Sequence, residues 1–275
     1  MMKSVLGALA VVSVGFMFSA CDQAPPTGET KQAILNGYPI TYPNDSVEWN
    51  AQVNVGVPGD EYLCSGVLLN SDWLLTAAHC FENGGGQIAY GAANVTVYAF
   101  SSADGSGHSA SAVYIHPQYN NTVTPHFRDM ALVKLTTPVV FTMHQFWNMP
   151  MTSNGAGSTA SIVNCYGMGQ TKSEVEGDGS AGLVLATGQM ASQPLNTPTQ
   201  TFTVWPGQYG QLLAPGDSGG PCLVGTGNSA ELAGIAQSVI TDYYGTYTGV
   251  VTALDLAWIN SVYTKVFYFP VHLPL

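Results

Sequence analysis

Charge is scarce in this sequence. Of 275 residues only 8% are charged, and six Lys plus Arg face seventeen Asp plus Glu, for a formal net charge of −11. Six cations cannot build the basic surface that a phosphate backbone or an anionic lipid head attracts, so nucleic-acid binding is not expected. Low charge with 46% apolar residues equally excludes a disordered chain or a coiled coil. Also missing are a C-x-x-C pair, a metal-ligand cluster in the sequence, an internal repeat and a low-complexity tract. No segment beyond the N-terminal stretch is apolar enough to span a membrane.

Helical runs are scarce as well. Instead, 31 glycines and clusters of Gly, Asn, Ser and Pro punctuate short apolar stretches, which reads as an all-β sandwich or barrel. Strands are expected at Gln52–Val57, Ser65–Leu69, Trp73–Thr76, Val95–Phe100, Ala131–Leu135, Ser161–Val163, Gln200–Val204, Cys222–Val224 and Leu232–Ala236. One helix is expected, Leu254–Thr264, with Leu256, Ile259 and Tyr263 on one stripe. A midpoint falls near Met149–Gly157, which divides the chain into a half from 34 to 150 and a half from 151 to 264. An apolar tail, 265–275, follows.

Residues 1–20 read as a signal peptide, with Lys3 ahead of an apolar core from Val5 to Phe18. At ~1.5 Å per helical residue that core is too short for a comfortable span. Small residues Ser19-Ala20 directly before Cys21 resemble a bacterial lipobox, although Phe18 stands where Leu is usual. The expectation is an exported, lipid-anchored cell-envelope protein. Cys21 carries the lipid, and residues 21–33, polar and Pro-rich, form the tether. The alternative is plain secretion with an incidental Cys21. With Cys21 lipidated, Cys64, Cys80, Cys165 and Cys222 remain, and four thiols allow three pairings. An oxidising compartment favours disulfides among them.

Three strings carry chemistry. Gly216-Asp217-Ser218-Gly219-Gly220-Pro221 surrounds a serine with residues that let the main chain turn tightly and bring N–H groups to a developing oxyanion. Leu74-Leu75-Thr76-Ala77-Ala78-His79-Cys80 delivers a histidine at the end of an apolar strand. Arg128-Asp129-Met130-Ala131-Leu132-Val133-Lys134-Leu135 sets one acid at the head of a buried run, where a carboxylate needs a partner, and orienting a histidine is one such role. The other histidines, His108, His116, His126, His144 and His272, read as structural.

Together these strings resemble the chymotrypsin/trypsin family of serine proteases, peptidase family S1, over Ile34 to about Thr264. The order His, Asp, Ser is that family's. The resemblance implies two six-stranded antiparallel barrels with the triad between them and a C-terminal helix. It implies Ser218 as nucleophile, His79 as general base and then acid, and Asp129 as its orienter. The Gly216 and Ser218 N–H groups would form the oxyanion hole. Ile34-Leu35-Asn36-Gly37 resembles the family's mature N-terminus, whose freed amine pairs with the acid before the nucleophile, here Asp217, after a cut between Ala33 and Ile34. Ile115-His116-Pro117-Gln118-Tyr119 resembles the stretch before the family's Asp. Cys64 and Cys80 stand where the family bridges its histidine loop. Cys165 and Cys222 are displaced by two residues in opposite senses from another family bridge, shifts that cancel in an antiparallel pair.

The specificity pocket departs most. Leu212 stands where trypsin-like members carry a floor Asp. The wall falls on Gln237-Ser238-Val239 by ungapped count, or on Ser238-Val239-Ile240 with one gap, while Gly249 keeps the other wall's glycine. A shallow apolar pocket, as in elastases, is implied. The same departure puts in doubt a hydroxyl that supports the family's triad Asp. The expected partners are protein or peptide substrates, the chain acting as a monomer without cofactor or metal and touching membrane only through Cys21. Two other readings remain. A catalytically dead binding domain would have kept the fold alone. A lipase or esterase of the α/β-hydrolase type would need βα alternation and a triad His after Ser218, where only His272 lies.

Overall fold

The computed structural model describes residues 34–40, 49–100, 102, 105–141, 150–153, 155, 161–169, 185–225, 230–241 and 246–263. The signal peptide, Cys21, the tether and the apolar tail lie outside the described residues.

Alternation builds the first barrel. In β2 (Asn50–Val57) the side chains of Ala51, Val53 and Val55 are buried while Gln52 and Asn54 between them are half exposed, the period-2 pattern of a strand with one face on a core. β3 (Asp60–Leu68), β4 (Trp73–Thr76), β5 (Val95–Ala99), β6 (His108–Ile115) and β7 (Ala131–Leu135) complete a closed antiparallel barrel in the order β2-β3-β4-β7-β6-β5. Its interior holds Val53, Leu68, Leu74, Val97 and Val133. Closure leaves no strand edge open for pairing with another chain.

The second barrel repeats that plan. β8 (Ile162–Gly167), β9 (Leu185–Ser192), β10 (Thr201–Trp205), β11 (Pro221–Val224), β12 (Glu231–Thr241) and β13 (Tyr247–Ala253) run β8-β9-β10-β13-β12-β11 and close through β11 on β8. Numbering the strands one to six within each barrel gives 1-2-3-6-5-4 both times. The duplication has no counterpart as a sequence repeat because closure needs only alternation and turn positions, which many sequences satisfy.

The sequence pattern does not mark β6, β9, β13 or the short strand β1 (Tyr38–Ile40), and it places the helix ends too far out. β1 pairs with β9 of the second barrel, although it lies in the N-terminal half of the chain. It follows Ile34, which is buried among Val163, Met190 and Leu213 of the second core. The helix α1 (Leu256–Val262) is shorter than expected at both ends. Asp255 caps it by accepting the Trp258 N–H, so the chain cannot be helical from Leu254. The helix packs Ile259 and Tyr263 with Leu254 against Val67, Leu75 and Leu132 of the first barrel and Leu223, Leu232 and Ile235 of the second. The seam between the barrels is thus a third apolar core.

Both disulfides pair Cys64 with Cys80 and Cys165 with Cys222. Cys222 and Cys165 stand directly opposite in the β11–β8 ladder, so the two sequence displacements do cancel. The bridges close sequence separations of 57 and 16 residues. Chain-entropy arguments give about 4 kcal/mol for the longer and about 3 kcal/mol for the shorter. Urea unfolding should therefore show a larger loss for Cys165→Ala/Cys222→Ala than for Cys64→Ala/Cys80→Ala; the reverse order would show that native packing, not the unfolded chain, sets the cost.

Candidate active site

His79 leaves the first barrel on a turn of 3-10 helix, His79–Phe81, just after β4. Asp129 lies two residues before β7, and its side chain is fully buried. The β4–β7 ladder sets Thr76 opposite Ala131, and so brings the two together at one end of the barrel. Asp129 accepts the His79 backbone N–H at 2.9 Å with one oxygen and meets His79 Nδ1 at 2.7 Å with the other. A carboxylate only accepts, so Nδ1 carries the ring proton and Nε2 keeps its lone pair. That lone pair faces Ser218 Oγ at 2.8 Å. Burial alone would lower the His79 pKa, but the Asp129 charge and hydrogen bond, helped by Glu82, outweigh it and leave the value raised. Burial would likewise raise Asp129, and the same pairing with His79 holds it below the ordinary carboxylate value.

Ser218 comes from the loop before β11, and glycine geometry shapes that loop. Gly219 has φ +85°, and a Cβ there would stand 2.1 Å from Thr76 Oγ1 and 2.3 Å from the Ser65 carbonyl. Only a residue without Cβ lets the loop press this closely against the first barrel. Gly216, at φ +92°, likewise sits against the Gly169 main chain. Ser65 stitches the seam, its N–H donating to the Ser218 carbonyl at 2.8 Å and its hydroxyl to the Gly216 carbonyl at 2.9 Å. Asp217 gives its N–H to Ala214 O and Gly219 gives its own to Ala236 O. Among the described residues the N–H groups of Gly216 and Ser218 have no protein acceptor.

Asp217 is fully buried beneath this loop. Its carboxylate accepts the N–H groups of Ile34 at 3.1 Å, Gly169 at 2.9 Å and Ala214 at 2.7 Å. Burial pushes its pKa up to about 7, against the pull of those three hydrogen bonds.

The pocket residues are drawn together too. Val239 stands directly opposite Gly249 across the β12–β13 ladder, and Ile240 opposite Thr248. Leu212, buried at 4% exposure, packs in the same core as Val239 and exchanges backbone hydrogen bonds with Leu35. Sequence reasoning missed Leu213, whose Cδ1 stands 3.0 Å from where a Gly249 Cβ would be; its signal was only its place next to Leu212. The register favours the ungapped count, because the Gln237 carbonyl lies 3.3 Å from Ser218 Oγ at the bulge of β12.

Gln237 is the larger departure. Its carboxamide does not face Asp129. It clamps the His126 backbone, accepting the N–H and donating to the carbonyl, both at 3.0 Å, and donates again to Thr252 Oγ1 at 2.8 Å. His126, read from sequence as structural, in fact stands with its ring centroid 6.0 Å from that of His79. Its place three residues before Asp129 was the available signal. The far side of this loop is held by Asp255, which takes Arg128 Nη1 at 3.0 Å and His116 Nε2 at 3.3 Å while capping α1.

A barrel pair with serine, histidine and aspartate meeting at its seam invites comparison with known proteins. The Trypsin family profile matches residues 37–259. The chain belongs to the trypsin family. Curated trypsin-family relatives are distant: Trypsin II-P29 of Gallus gallus is 28% identical over 86% of this chain and 91% of its own. Cationic trypsin-3 of Rattus norvegicus is 27% identical over 78% and 83%, and the anionic trypsin of Canis lupus familiaris 26% identical over 86% and 92%. Trypsin-family membership makes the chain a hydrolase of the serine protease class and implies protein substrates. The two disulfides fit an exported trypsin-family protein. No helix among the described residues is long and apolar enough to cross a membrane.

Asp217 makes a checkable contribution to stability. Its folded pKa, about 7, lies above the unfolded 3.8. The folded chain therefore binds more protons between those values, and stability from this group, present below 3.8, is lost as pH rises through about 7. The melting temperature of Asp217→Asn relative to the uncut wild type should rise across that interval; a flat difference would show that Asp217 is already ionised when buried.

Proposed function

We propose that the chain is an exported serine endopeptidase that hydrolyses peptide bonds through an acyl-enzyme. The observation that carries the reading is the continuous line Asp129–His79–Ser218, with contacts of 2.7 and 2.8 Å. Ser218 Oγ attacks the substrate carbonyl carbon while His79 Nε2 takes its proton, and Asp129 holds the ring in the tautomer that makes this possible. The oxyanion points at the N–H groups of Gly216 and Ser218, each such donor being worth about 10²–10³ in rate. His79 then hands its proton to the leaving amine, and water, deprotonated by the same nitrogen, frees the acid product.

The favoured substrates carry a small or medium apolar residue, such as Ala, Val or Leu, on the acyl side of the cut bond. Leu212, Leu213 and Val239 crowd the pocket with hydrocarbon, and a buried Arg or Lys head would find no carboxylate. A fluorophosphonate should label the wild type and not Ser218→Ala. In peptide libraries Ser218→Ala should keep only the ~10³–10⁴-fold acceleration over water left by binding and the oxyanion donors. Dominant cleavage after Arg or Lys would overturn the pocket reading, and absence of labelling in the processed chain would overturn catalysis.

The chain is made as a zymogen, anchored by a lipid on Cys21 and activated by a cut between Ala33 and Ile34. In the uncut chain Asp217 receives an amide N–H from Ile34; after the cut it receives an ammonium. That cation favours the ionised carboxylate and removes the cost of burying it unpaired. The processed form should therefore melt higher than the uncut form above pH 7, the gap closing toward pH 3.8, the unfolded carboxylate value. N-terminal sequencing of membrane and supernatant fractions checks the rest. Active lipid-bound protein with an intact Ala33–Ile34 bond would refute the scheme, and processing of Ser218→Ala would exclude self-cleavage.

A further inference from the structure

One histidine beside the triad has no part in that mechanism. His126 is half buried, and its Nδ1 is buried without a hydrogen-bond partner. Such a ring nitrogen calls for an explanation. One ligand atom each of His79, His126 and Asp129 lie within 4.8 Å of one another. Zinc binds imidazole nitrogen and carboxylate oxygen at ~2.0–2.2 Å, which sets tetrahedral donors about 3.3 Å apart. The largest of the present gaps then needs to close by about 1.5 Å, a swing of the His126 ring about its side-chain torsions. The backbone does not have to follow, because Gln237 pins it on both sides.

The surroundings favour a cation. Glu82 contributes a second carboxylate charge felt by both rings, and its own oxygen is held by Tyr119 Oη and Asn121 Nδ2, each at 2.6 Å. Two imidazoles and a carboxylate suit zinc or copper rather than magnesium or calcium, which prefer oxygen alone.

We propose that His79, His126 and Asp129 form an inhibitory site for a zinc-class ion, a reversible off-switch that rests on the triad reading above. The consequence holds whichever His79 nitrogen coordinates. If the ion takes Nδ1, the ring proton moves to Nε2, which can no longer accept from Ser218. If it takes Nε2, the lone pair that served as base is engaged. Beyond coordination only the ring proton moves, from Nδ1 to Nε2 in the first case and not at all in the second, and removal of the ion restores the base.

The test uses the full chain, uncut and processed, with wild type, His126→Ala and His126→Gln, their folding checked by thermal melts. Zinc chloride titrated calorimetrically should bind wild type at one site. Zinc should suppress fluorophosphonate labelling of the processed form, with recovery on adding EDTA, while magnesium chloride should do neither. Each variant should weaken zinc binding by at least about tenfold, the lower end of what loss of even an outer-shell partner costs, and should lose suppression in proportion. Equal zinc affinity in wild type and both variants would overturn the site. Undiminished labelling of a zinc-saturated chain would overturn the switch. Failure of labelling with and without zinc would instead count against the triad reading, and the calorimetry would still decide whether the site exists.

Discussion

The Asp217 carboxylate, with no exposed surface, accepts N–H groups from three segments that are far apart in sequence: Ile34, Gly169 and Ala214. A buried carboxylate without such donors would cost several kcal/mol, so the three segments must converge if the fold is to bury it at all. Their convergence shapes the loop that follows. Ala214 and Asp217 close a turn on each other, Gly216 is pressed against Gly169, and the Gly216 and Ser218 N–H groups have no acceptor among the described residues. The same contact draws Ile34 into the second core and lets β1 add to β9. One acid thereby couples the N-terminal segment to the surroundings of Ser218.

A second constraint lies across the seam. Ser65 and Thr76 on the first barrel receive the serine loop through hydrogen bonds and a contact that tolerates no Cβ at Gly219. The apolar core shared by α1 and both barrels supplies the bulk of that adhesion. Gln237 and Asp255 then hold the Asp129 loop at two points, one from β12 and one from the helix cap. Both holds come from the C-terminal half of the chain, although Asp129 belongs to the first barrel.

Much of this was legible in the sequence. The residues around His79, Asp129 and Ser218 are local strings whose chemistry depends on near neighbours, and all three meet in space. The Cys165–Cys222 pairing was legible through the resemblance to a family bridge, whose two offsets cancel in an antiparallel ladder. Strands that are short, nearly continuous apolar runs, such as Trp73–Thr76 and Ala131–Leu135, fall where the pattern puts them. By contrast, β6, β9 and β13 were missed because Ser, Gly, Thr and Gln interrupt their apolar periods. β1 has only three residues, too few for any period. The approach of His126 to His79 and the clamp by Gln237 depend on the path of an irregular loop, which includes Arg128 at φ 52°. No residue pattern encodes such a path.

The barrels' duplicated plan gives each half a rigid, closed wall, while the proton line from Ser218 to His79 crosses between them. Hydrogen bonds of this kind weaken beyond ~3.2 Å. From 2.8 Å, a relative slip of roughly half an ångström breaks the line. Such a slip leaves every strand ladder intact. The site therefore works as a gauge of alignment between two bodies, and it fails mechanically, by misregistration at the seam, well before either body loses its shape.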